Sequence, residues 1–236
     1  MIEANFSKRT DLVWLAGMTM GLVFTIIAGY VTPYPEFNAG QVFVYAAVSR
    51  ILLYLAAGGQ EDMRIYQELA LMGVVVGFVE LLADYWLING ISSGQLVYHP
   101  HNDVVACQSP IWMPIAWACV TVEFGYLILR LDNMLGKPWL ASLLGAVIAG
   151  VGVGMYEYLA NAAGWWYYEK ARAMIGGFCA LYIPLGEVFM FLCFYTLFKK
   201  TRFILSLQTR VIVSGAIFGL VIFASYAAAY FLLEVR

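Results

Sequence analysis

Charge is what this chain has least of. Asp, Glu, Lys and Arg together make up 12% of its 236 residues, against roughly 25% in a soluble domain. That shortage excludes an ordinary water-facing surface. The net charge of -2 argues against nucleic acid as a partner. Histidine is nearly missing: His99 and His101 are the whole supply, too few for the many-histidine clusters of membrane di-iron desaturases. The last apolar segment, 211–234, has no lysine, which excludes a retinal Schiff base there. There is no phosphate-binding glycine loop and no paired Asp-rich motif for a prenyl diphosphate. Of four cysteines, Cys119 and Cys193 fall within predicted helices. Cys107 and Cys179 fall near one membrane face, either as free apolar thiols or as a pair in an oxidising compartment.

What is present is apolar. Hydrophobic residues make up 63% of the chain, and the mean hydropathy is +0.79. A helix needs about 20 apolar residues to cross a bilayer. Seven segments qualify: about 12–31, 41–58, 68–90, 110–130, 138–160, 178–198 and 211–234. The second is the weakest, being short and holding Arg50. The expectation is an all-α, polytopic bundle of seven transmembrane helices forming one membrane domain over 1–236. The first segment is too long for a signal-peptide core and lacks a cleavage site, so it reads as retained. Pro33 and Pro35 break the chain after it. Pro110 and Pro138 read as helix starts, where a missing N–H costs nothing.

Orientation follows from Lys and Arg. Lys8, Arg9, Arg64, Arg130, Lys137, Lys199, Lys200, Arg202 and Arg210 fall on the N-terminal side; Lys170, Arg172 and Arg236 fall opposite. This bias predicts a multi-pass protein of the plasma (inner) membrane, with a cytoplasmic N-terminus and an external C-terminus. The long outer loops, 91–109 and 161–177, are rich in Trp, Tyr and Gly. Those aromatic residues read first as interfacial anchors.

The third segment contains Gly73-x3-Gly77-x2-Glu80-x-Leu82-Ala83-Asp84, and the fifth contains Gly150-x3-Gly154-x2-Glu157-x-Leu159-Ala160-Asn161. Each is followed by a Trp (Trp86, Trp165), a loop Tyr (Tyr98, Tyr168) and an aromatic-x-Pro motif (Trp112 to Pro114, Tyr182 to Pro184). This predicts a parallel internal repeat of helices 3–4 and 5–6, over about 68–130 and 138–198. Small-x3-small spacing by itself serves helix packing, but packing does not explain the shared carboxylate.

Glu80, Asp84, Glu123, Glu157 and Glu187 fall inside predicted helices, with Arg50 as the one buried cation. An ionisable group at the bilayer centre costs roughly 2.5–3.5 kcal/mol on insertion scales, so such residues mark sites. Glu80 and Asp84 are four apart and share a helix face. In low dielectric two such carboxylates cannot both ionise cheaply, which is the arrangement a general acid needs. Arg50 reads as the partner of Glu80 or Glu187, either in a site or in a packing lock. Glu123 reads as structural. Pro114 and Pro184 are expected to bend their helices. His99, His101 and Asp103 offer a loop-face metal site, although two histidines on a turn read first as plain loop residues. No metal or other cofactor is otherwise expected.

The stretch Ile183-Pro184-Leu185-Gly186-Glu187-Val188-Phe189-Met190-Phe191 resembles the Pro-x-x-Glu, Phe-rich motif of tandem-repeat membrane lycopene cyclases. Gly186 stands where those enzymes usually carry the first of two adjacent acids. The length and the few helical acids are similar to membrane-bound meroterpenoid cyclases. The whole chain, with Glu80-Leu-Leu-Ala-Asp84 and Ser109-Pro-Ile-Trp-Met-Pro114, resembles an uncharacterised bacterial membrane-protein family. The cyclase resemblances imply cyclisation or isomerisation of an isoprenoid or carotenoid-like substrate. Glu80, Asp84, Glu187 and Glu157 are then the catalytic candidates. Arg50, Trp86, Trp112, Trp117, Asn161, Trp165 and Tyr182 are the candidate pocket walls. Two other readings stand beside this one: a non-catalytic subunit binding lipid or pigment among membrane protein partners, and a proton-coupled carrier.

Overall fold

In a computed structural model of the chain, residues 6–31, 41, 44–99, 105–204 and 206–235 are described. Among the described residues seven α-helices run in chain order: α1 Lys8–Ile26, α2 Ser49–Gly58, α3 Arg64–Asn89, α4 Met113–Leu135, α5 Pro138–Ala162, α6 Tyr182–Thr201 and α7 Leu207–Leu233. Six of them are long and apolar enough to cross a membrane. The exception is α2. Even with its leading π-helical turn it covers only Tyr45–Gly58, about 21 Å at 1.5 Å per residue. Pro33 and Pro35 lie outside the described residues.

The helices start and stop for local reasons. Ser7 caps α1: its hydroxyl accepts from the Thr10 N–H at 3.3 Å, and its own N–H donates to the Thr10 hydroxyl at 2.9 Å. These bonds satisfy two backbone groups that a helix end leaves open. Gly136 ends α4 at φ +60°, a left-handed position that glycine reaches without strain. Pro138 then opens α5, as expected. Pro110 does not open a helix; it lies in a short strand before α4. Pro114 and Pro184 are the second and third residues of α4 and α6. N–H groups in a first turn have no intrahelical partner, so neither proline removes an intrahelical hydrogen bond.

Contacts between helices form a ring. Helix α3 packs on α4, α4 on α5, α5 on α6, α6 on α7, and α7 back on α3. Helices α1 and α2 flank this ring, with α2 against α3 and α1 against α2, α4 and α5. Between helices in lipid, van der Waals packing and close approach replace the hydrophobic drive, so small residues mark the seams. A methyl group added at Gly73 falls 2.8 Å from Ala118, and one at Gly150 falls 2.8 Å from the Pro184 carbonyl. The glycines therefore seat α3 on α4 and α5 on α6.

The two long loops are not irregular, and the fold is not purely helical. They carry β1 Gln95–Tyr98, β2 Val105–Ala106 and β3 Ser109–Pro110, then β4 Trp166–Glu169, β5 Met174–Ile175 and β6 Cys179–Ala180. Strands β2 and β3 pair with each other, as do β5 and β6. Strands β1 and β4 pair antiparallel across the two loops, with Val97 opposite Tyr167. This ribbon roofs one end of the ring. Glu234, just past α7, ties the roof down by accepting from the Ser93 hydroxyl at 3.0 Å and the Arg172 N–H at 2.8 Å. Cys107 and Cys179 are not paired: both thiols are free, one exposed and one buried.

Candidate functional site

Under the roof, inside the ring, lies a hollow. Its walls include Glu80 and Asp84 from α3, Trp117 from α4, Tyr156 and Glu157 from α5, Glu187 from α6 and Tyr226 from α7. Tyr98, Trp166 and Tyr168 close it from the ribbon, with Trp165 beside them. Its cavity volume is about 110 Å³. All four expected catalytic carboxylates therefore share one chamber.

Each acid is held differently. Asp84 accepts from the Tyr98 and Ser109 hydroxyls, both at 2.7 Å. Glu187 accepts from the Tyr226 hydroxyl at 2.5 Å. Glu157 accepts from the Trp166 indole N–H at 2.7 Å, with the Tyr168 hydroxyl as a further donor. Glu80 is fully buried, and among the described residues neither of its oxygens has a well-formed hydrogen bond. The Asp84 carboxyl and the Trp117 indole N–H interact with it. A buried polar atom without a well-formed hydrogen bond is costly, so Glu80 stands out.

The roof tyrosines are suited to donating. Burial and the Asp84 carboxylate push the Tyr98 hydroxyl well above the usual tyrosine range. Burial and Glu157 do the same to Tyr168. Both therefore keep their protons at any physiological pH.

Arg50 does not partner Glu80 or Glu187. Its guanidinium meets Glu123 Oε1 at 2.5 Å, and its Nε–H donates to the Ala46 carbonyl at 3.0 Å. The Tyr54 and Tyr156 hydroxyls stand 3.4 Å from the two Glu123 oxygens. Glu123 is thus the counterion, and Arg50 borders the chamber already engaged. The reason is rotational: α2 packs on α1, α3 and α4 outside the ring, which aims Arg50 at α4.

Of the expected walls, Trp117 and Trp165 line the chamber, and Arg50 borders it. Trp86 does not; it packs on Phe223 and Tyr230 on the side of α3 that meets α7. Trp112 is buried behind Trp166, with ring centroids 6.3 Å apart. Tyr182 serves the roof, donating to the Gly94 carbonyl at 2.5 Å. Asn161 sits at the end of α5, its carbonyl accepting from the Gly164 N–H; the chamber lining does not include it. His99 follows β1, where its N–H donates to the Trp165 carbonyl at 3.0 Å. His101 and Asp103 lie outside the described residues. Sequence reasoning missed Tyr156, Trp166 and Tyr226 as walls. Tyr98 and Tyr168 were visible as repeat positions but read only as interfacial anchors.

Long apolar helices closed around buried acids mark a polytopic membrane protein with an internal chamber. The model of DUF6989, a domain of unknown function, matches residues 81–233, more than half of the chain, so the protein belongs to that family. The matched stretch holds Asp84, Glu157, Glu187 and the roof, and begins one residue after Glu80. No curated protein and no solved structure matches the chain.

Proposed function

We propose that the chamber carries out intramembrane acid–base chemistry on a lipophilic, isoprenoid or carotenoid-like substrate, as a cyclisation or an isomerisation. The observation that carries this reading is Glu80: a fully buried carboxyl with no cation beside it and no well-formed hydrogen bond among the described residues, in an aromatic-walled hollow with three further acids. A carboxyl with no counterion in an apolar hollow is the kind of group that serves as a general acid.

The chemistry balances without an oxidant. The Glu80 proton adds to an alkene carbon of the substrate, forming a C–H bond and a tertiary carbocation. A second alkene attacks that centre if a ring closes. Loss of a neighbouring C–H proton to Glu187 or Asp84 restores a double bond, and proton exchange among the acids resets Glu80. The faces of Trp117 and Trp165 stabilise the cation meanwhile. Tyr98, Ser109 and Tyr226 position Asp84 and Glu187 through their hydrogen bonds. A subunit that merely holds lipid or pigment would use the same hollow, but a buried Glu80 without a counterion favours chemistry. A proton-coupled carrier is the remaining alternative.

The finer topology belongs to the same proposal. We read α2 as a seventh, short span, the N-terminus as cytoplasmic and the membrane as the plasma membrane, from the Lys and Arg bias. Residues 68–130 and 138–198 read as duplicated units. The order helix, strand, hairpin, helix recurs in both, which supports duplication. So does the ribbon. Equating Tyr98 with Tyr168 makes Val97 the counterpart of Tyr167, and those two lie opposite each other. Such a self-complementary contact is what a local two-fold axis produces.

The test uses membranes containing the protein, incubated in D2O with a polyprenoid extract. Turnover places one solvent deuteron on a substrate carbon, read by mass spectrometry. Glu80→Gln should abolish the label. Equal labelling by wild type and a correctly folded Glu80→Gln variant rules the proposal out.

A further inference from the structure

We infer that the chamber binds a lipophilic organic monocation, such as a quaternary ammonium or a protonated tertiary amine, in exchange for one carboxyl proton. This rests on the reading of the chamber as a place that stabilises positive charge, but not on turnover.

Glu80 and Asp84 face the hollow from α3, Glu157 from α5 and Glu187 from α6. The basic side chain at its edge is Arg50, already held by Glu123 at 2.5 Å and by the Ala46 carbonyl at 3.0 Å. Among the described lining residues there is no lysine and no histidine. The remaining titratable groups are tyrosines. Tyr98, Tyr168 and Tyr226 bond to Asp84, Glu157 and Glu187, and Tyr156 faces Glu123. Four acids therefore surround a space that has no unengaged cation.

Two observations say what kind of cation fits. Among the described residues no three acidic, histidine or cysteine side chains converge as a metal site. The acids are spread around the hollow rather than gathered at a point, which suits a bulky ion with diffuse charge. The walls between them are aromatic, with Trp117, Trp165, Trp166 and Tyr168 all lining the space. Aromatic faces with nearby carboxylates recognise alkylated ammonium ions. Neither Glu80 oxygen nor Glu187 Oε2 has a well-formed hydrogen bond among the described residues, so these carboxyl edges are open to lie against such a guest.

The exchange is balanced. The cation enters; one carboxylic O–H bond breaks; its proton leaves to water; the new carboxylate is the counterion. The charge of the chamber does not change.

The experiment uses the full chain in lipid nanodiscs and radiolabelled benzyltrimethylammonium, with benzylsulfonate as an anion of matched size. Saturable binding of the cation alone is expected. Affinity should rise by up to about tenfold per pH unit while a proton is displaced. Calorimetry in buffers of different ionisation heat should show one proton released per cation bound. Glu80→Gln should weaken binding at least about tenfold. Absence of saturable binding, equal binding of the anion, or binding without proton release overturns the inference. Proton release is measured on the wild-type chain, so a misfolded variant leaves the test intact. Cation binding without deuterium labelling would sink the catalytic proposal and leave this one standing. Labelling without cation binding would do the reverse.

Discussion

Exchanging Glu123 for Gln should destabilise the protein far more than exchanging Glu80 for Gln, although both acids are fully buried. Glu123 neutralises Arg50, whose side chain is only 8% exposed, across 2.5 Å. Removing one partner of a buried ion pair leaves the other charge uncompensated, at a cost of about 3–5 kcal/mol. Glu80 has no cation beside it and no well-formed hydrogen bond. A neutral amide of the same shape costs it little, within about 1 kcal/mol. Arg50→Met should cost about as much as Glu123→Gln. The double variant Arg50→Met/Glu123→Leu should recover most of the loss, because an apolar pair of similar volume replaces a buried ion pair at little cost. The assay is reversible unfolding in mixed micelles followed by tryptophan fluorescence, with the double-mutant cycle isolating the pair. A loss below about 1 kcal/mol for Glu123→Gln, or a larger loss for Glu80→Gln, would refute the assignment of Arg50 to Glu123.

Three further outcomes follow from the same geometry. Tyr98→Phe and Ser109→Ala each remove one donor from Asp84 and should cost about 1.5–3 kcal/mol apiece by the same unfolding assay. Gly73→Leu should prevent α3 from seating on Ala118, whereas Gly154→Ala, with nothing within 4 Å of the added carbon, should change stability by less than about 0.5 kcal/mol; thermal melts distinguish the two. Stability should fall as pH rises above about 10. The unfolded chain then ionises Tyr98 and Tyr168 while the folded chain keeps them protonated, so their contribution is complete below the ordinary tyrosine pKa and is lost above it. Unfolding curves between about pH 8 and 11 measure this, and a flat profile there contradicts it.

Much of the chamber was legible because it depends on helix periodicity. Glu80 and Asp84, four apart, share a face whatever else α3 does. Six long spans followed from segment length. Other parts depended on contacts that a linear chain does not display. Counting depth along each helix puts Arg50 level with Glu80 and Glu187, but depth says nothing of how α2 is rotated about its axis. Tyr226 lies on α7, which is apolar on every side, so its inward face leaves no pattern. The four-residue strands β1 and β4 are too short for a clear alternation, and their Trp and Tyr residues mimic an interfacial belt. Pro114 and Pro184 looked like bends because the predicted helices began earlier than the real ones.

The ribbon of β1 and β4 has a further consequence. Each loop gives it one strand, so the cover over the acids is also the rivet between the two helix pairs beneath. Parting those pairs at the loop face would expose the buried carboxyls to water together, and sealing the hollow and joining its walls are a single event.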